Sequence, residues 1–73
     1  MESKHDRFVR IAESRTNKII DMIRLLGNCS NKGNYDYSDV EIRQIFSAID
    51  SELKIAKSKF SEAENSEKKF TFH

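Results

Sequence analysis

Proline and tryptophan are absent from this chain, and there are only two glycines and one cysteine among 73 residues. Without proline nothing forces a break inside a long helix. One cysteine cannot form an internal disulfide, so a disulfide scaffold is excluded and a reducing, cytoplasmic setting is expected. No apolar run approaches the ~18 residues of a membrane span, and no apolar leader follows the opening MESKHDR, so neither a membrane nor secretion is expected. Net charge is also lacking: 13 Lys plus Arg stand against 12 Asp plus Glu, a formal +1. A dedicated nucleic-acid binder carries a clear basic excess. What remains is a short chain, 34% charged and 37% hydrophobic. At this size burial barely offsets the entropy of ordering, and self-association or a partner is the expected supplement.

The apolar residues that are present follow helical spacing. At ~100° per residue, Phe8, Ala12, Ile19, Ile23 and Leu26 share one face, widened by Val9, Thr16 and Ile20 on one side and by Ile11 and Met22 on the other. This predicts a helix over about 3–26, with Ser3 available as N-cap and Gly27 as the C′ stop. Residues 27–37, GNCSNKGNYDY, are turn formers and predict a loop. A second helix is expected over 38–60. It opens on Ser38-Asp39-Val40-Glu41, a capping box, with Tyr37 and Ile42 placed as a hydrophobic staple. Ile42, Ile45, Phe46, Ile49, Leu53, Ala56 and Phe60 then form one stripe. Residues 62–73 read as a charged, flexible tail, and Phe70-Thr71-Phe72-His73 alternates apolar and polar over too short a span to define a strand.

The expected fold is therefore all-α. Residues 1–61 form an antiparallel two-helix hairpin, in which Phe46 and Ile49 face Ile19 and Ile23. Each stripe is wider than one neighbour covers, so dimerisation or a partner completes the fold.

Templates for chemistry fail one after another. Gly27 and Gly33 stand apart, and no GK[ST] phosphate loop exists. His5, Cys29 and His73 lack metal-ligand spacing. Cys29 has no histidine near it in sequence to act as a base. The expectation is a protein that is not an enzyme and uses no metal or other cofactor. Two surfaces remain. Lys32, Asn34, Tyr35 and Tyr37 place aromatics among small polar residues on a loop longer than the connection requires; the tyrosines either pack back over the open end of the helix pair or make this a candidate partner-binding segment. Lys4, Arg7, Arg15 and Lys18 line one edge of the first stripe, with Glu2, Asp6 and Glu13 near the opposite edge. That basic edge is either ordinary flanking of an amphipathic face, with weak ion pairs, or a surface for phosphates or a complementary protein. A helix-turn-helix does not fit, because the connection is too long and the second helix opens on acids.

The segment Arg15–Phe60 carries four marks: the RTNK start, the LLGNCSN turn, the NYDYSD approach to the second helix, and IFSAIDSEL. In these it resembles short hypothetical proteins of plasmids, phages and other mobile elements of low-GC Gram-positive bacteria. The resemblance carries no activity and no functional residues. In that context the expected function is a small helical interaction or regulatory module of a mobile element, with an inhibitor of host or defence machinery as one form of it. A dimeric nucleic-acid-binding accessory protein using the basic edge is the alternative.

Overall fold

A computed structural model describes the backbone of residues 1–68 and the side chains of residues 1–64. The described residues are helical with no strand. α1 spans Lys4–Asn28 and α2 spans Asp39–Lys68. The chain divides into two units, Met1–Asp36 and Tyr37–His73. The alternating Phe70–His73 segment lies outside the described residues.

α1 begins with a complete capping box. Ser3 is extended (φ −76°, ψ 169°), and its Oγ accepts from the Asp6 amide at 3.0 Å. The Ser3 amide in turn donates to the Asp6 carboxylate at 3.3 Å. Two of the helix's orphan amides are thereby satisfied, and a negative charge sits at the positive end of the dipole.

The other end of α1 departs from expectation. Gly27 does not stop the helix in a left-handed conformation, since no glycine has positive φ. The helix runs through it to Asn28. The Cys29 amide donates to the Leu26 carbonyl at 3.0 Å and the Ser30 amide to the Gly27 carbonyl at 3.1 Å. These tightened i→i−3 bonds satisfy the last carbonyls, so the αL residue becomes unnecessary.

α2 opens at the expected place. The Ser38 amide donates to the Glu41 carboxylate at 2.9 Å, and the Glu41 amide donates to Ser38 Oγ at 3.2 Å. Tyr37 and Ile42 are both half-buried, as a staple across the first turn requires. The helix then continues to Lys68, eight residues past Phe60. The apolar stripe thins there, but Glu62, Ala63, Glu64, Glu67 and Lys68 are strong helix formers. With no glycine or proline to interrupt them, propensity carries the helix beyond its amphipathic part.

No described residue is buried. The residues expected at the centre of a core keep much of their surface: Ile19 is 54% exposed, Ile23 46% and Phe46 47%. Ile49 is half-buried. Each helix owes its local form to caps, propensity and spacing, and each presents its apolar stripe.

Candidate interaction surfaces

Lys32, Asn34 and Tyr35 sit on the turn that follows α1, and that turn is built. Asn31 Oδ1 accepts from the Gly33 amide at 2.9 Å. The Asn31 carbonyl accepts from Asn34 at 3.1 Å and from Tyr35 at 3.0 Å. This is an Asx turn inside a single helical-type turn, the use for which asparagine side chains are suited. Its space is limited at Gly33, where a Cβ would lie 3.1 Å from Asn31 Oδ1. The result is that Tyr35 projects from an ordered turn with 53% of its surface exposed. Tyr37 belongs to the approach to α2, where it is half-buried. Of the two aromatics, Tyr35 is the more exposed.

The proposed basic edge of α1 is divided by an ion pair that its helical spacing does not reveal. Glu2 precedes the N-cap and reaches Arg10, which donates through Nε at 2.7 Å and through a terminal nitrogen at 3.1 Å. Arg7 Nε lies 3.8 Å from the same carboxylate. The Arg10 hydrogen bond holds the Glu2 carboxyl below the usual carboxylate range, and Glu2 raises the already high pKa of Arg10. Arg7 is therefore partly neutralised. Lys4, Arg15 and Lys18 take no ion pair among the described residues. The cations open to a phosphate or a carboxylate on this edge are these three. The signal for the Glu2–Arg10 pair was hidden because Glu2 lies outside the helix, where i, i+4 spacing does not apply.

His5 stacks on Phe8 with ring centroids 6.5 Å apart and planes inclined by 24°. An open groove beside it runs along one side of α1, lined by His5, Val9, Arg10, Glu13 and Asn17 among others. A second open groove on α2 is lined by Val40, Arg43, Gln44 and Ser47 among others. Each groove lies on a single helix and encloses nothing. Cys29 is exposed, and its Sγ lies 3.9 Å from the Leu25 carbonyl. Among the described residues no three His, Cys, Asp or Glu side chains cluster as metal ligands. No helix among them is long and apolar enough to cross a membrane.

What these surfaces offer is contact: two apolar stripes with charged margins, and one exposed tyrosine on an ordered turn. No protein-family model, curated protein or solved structure matches the chain.

Proposed function

We propose that this protein is a small helical interaction module that regulates a larger protein by covering part of its surface. The observation that carries the reading is the exposure of both stripes. Phe8, Ile19, Ile23, Phe46, Leu53 and Phe60 each keep 44% or more of their surface on helices already capped and formed. Isolated monomers rarely leave contiguous apolar faces in water, and such faces rimmed by charge mark association sites. Antiparallel pairing of α1 with α2 and assembly with a second copy or a target are the two ways to cover them, and both belong to the proposal. Tyr35 adds an exposed aromatic of the kind that anchors interfaces. We place its target among host or defence machinery in the bacterial cytoplasm, the setting expected for a protein of a mobile element.

One observation favours a second reading. Lys4, Arg15 and Lys18 lie along one side of α1 without carboxylate partners, an arrangement that suits phosphates. As a nucleic-acid binder the chain would bind with steep salt dependence, because each phosphate contact releases condensed counterions.

Affinity capture from bacterial lysate, with and without nuclease, separates the two. The expected result is a nuclease-resistant protein partner that is captured by the wild type and lost on Tyr35→Ala. Capture abolished by nuclease, together with tight and salt-steep binding of the purified chain to DNA or RNA, would replace the first reading by the second.

A further inference from the structure

α1 carries six basic and three acidic residues, and α2 carries five basic and seven acidic. The two apolar stripes therefore belong to helices of opposite net charge. Their centres also match in spacing. Read backwards from Ile23, α1 presents Ile19, Thr16, Ala12 and Val9; read forwards from Ile42, α2 presents Phe46, Ile49, Leu53 and Ala56 at the same steps. Laid antiparallel, Ile23 comes opposite Ile42, Ile19 opposite Phe46 and Ala12 opposite Leu53, as in the layers of a coiled-coil seam. Arg15 lies ~70° from the centre of its stripe and Glu52 ~70° from the centre of the other, on margins that adjoin when the helices run antiparallel. Neither takes an ion pair among the described residues. In this register the two stand across from each other. One heptad along, Arg15 meets Lys59 instead, and one heptad back, Ile23 overruns the start of α2. Parallel pairing brings Arg15 to Lys57. On the other margin Glu13 falls between Asp50 and Lys57, which leaves that side close to neutral. Antiparallel pairing of α1 with another α1 sets the margin of Arg15 and Lys18 against the same margin, and like charges oppose it.

The single chain leaves both stripes open. Between the helices no residue is left-handed, the conformation that commonly turns a chain sharply after a helix. Resting on the reading of both stripes as association faces, we propose that the chain forms a reciprocal dimer in which α1 packs antiparallel on α2 of a second copy, with Ile19 opposite the partner's Phe46 and Arg15 opposite the partner's Glu52. A two-fold axis relates the copies, so each contact occurs twice and both α1 and both α2 stripes are covered. The turn that carries Tyr35 lies outside the seam.

The test is sedimentation equilibrium of the full chain at micromolar concentration, with helix content followed by circular dichroism on the same samples. The wild type should be a dimer. Arg15→Glu and Glu52→Arg each place like charges at both crossings and should weaken dimerisation roughly tenfold. Mixed in equal amounts, the two single variants should recover the dimer as a heterodimer, because Glu and Arg then face each other at both crossings. Both substitutions together in one chain should recover it as well. A dimer indifferent to the single variants would overturn this register and leave the association reading standing. Recovery by the double variant but not by the mixture would show that each α1 is covered by α2 of its own chain, and would overturn the proposal. A monomeric wild type with a steep melt independent of concentration would overturn both the proposal and the association reading. A monomeric wild type that melts broadly would leave the stripes to another protein and overturn the dimer alone.

Discussion

Ser38 and Glu41 each donate a backbone amide to the other's side chain across the first turn of α2: the Ser38 amide donates to the Glu41 carboxylate at 2.9 Å, and the Glu41 amide donates to Ser38 Oγ at 3.2 Å. Ser3 and Asp6 repeat the arrangement on α1 with the shorter acid. In a chain with no buried residue among those described, such end contacts carry an unusual share of helix formation. Ser38→Ala should cost about 1 kcal/mol, and Ser3→Ala a similar amount. Thermal melts followed by circular dichroism check both. If neither variant melts earlier than the wild type, the helix starts are not held by these caps.

A second prediction concerns acid. The Glu2 carboxyl is held below its ordinary value by Arg10. The pair's contribution is complete above the unfolded glutamate value of about 4.3 and is lost as pH falls through the lower, folded value. Carboxyl NMR titration should find Glu2 depressed in the wild type and returned toward the ordinary value in Arg10→Gln. Because both side chains are exposed, global stability should scarcely change. An unaltered Glu2 titration in Arg10→Gln would show that the pair does not form in solution.

The turn before α2 offers a third. Asn31→Ala removes the acceptor of the Gly33 amide and should loosen the turn. Gly33→Ala should act in the same direction, because the added Cβ meets Asn31 Oδ1 at 3.1 Å. Amide exchange at residues 33–35 should accelerate in both variants while α1 and α2 keep their protection. Unchanged exchange would mean that Tyr35 is presented by a turn less ordered than these bonds imply.

The capping boxes also show where the sequence was readable. Ser38 through Glu41, with Tyr37 and Ile42 around them, was legible because the box and staple are local and their residue types fit the rule. Asp6 is a less usual partner for Ser3, since the rule favours Glu or Gln at that position. Gly27 invited a C′ reading, yet i→i−3 bonds from Cys29 and Ser30 close the helix without it. Apolar periodicity fades at Phe60, the expected end of α2, although propensity sustains the helix to Lys68. Of the candidate site residues, Tyr35 stands exposed while Tyr37 is half-buried. Helical spacing does not reveal the Glu2–Arg10 pair, because it links the chain before the cap to the second turn of α1. Spacing identifies which residues share a face. It does not say what covers that face.

A fourth prediction follows for Phe46. At a buried site Phe→Ala costs about 3–5 kcal/mol. Phe46 keeps 47% of its surface, so Phe46→Ala should leave the helix content of the isolated chain nearly unchanged and weaken association instead. Circular dichroism and sedimentation on the same sample measure the two effects. Loss of helix at all concentrations, with no change in association, would place Phe46 inside a monomeric core.

Most helical stability in proteins comes from packing of an amphipathic face, and binding stabilises a folded state by mass action. The central claim is that the apolar faces of α1 and α2 are completed by association. Thermal unfolding recorded across a hundredfold range of protein concentration tests it most directly. The account predicts a broad, weakly cooperative melt at the dilute end, sharpening and moving to higher temperature as concentration rises. A steep melt whose midpoint stays fixed over the whole range, from a species that sediments as a monomer, would contradict it.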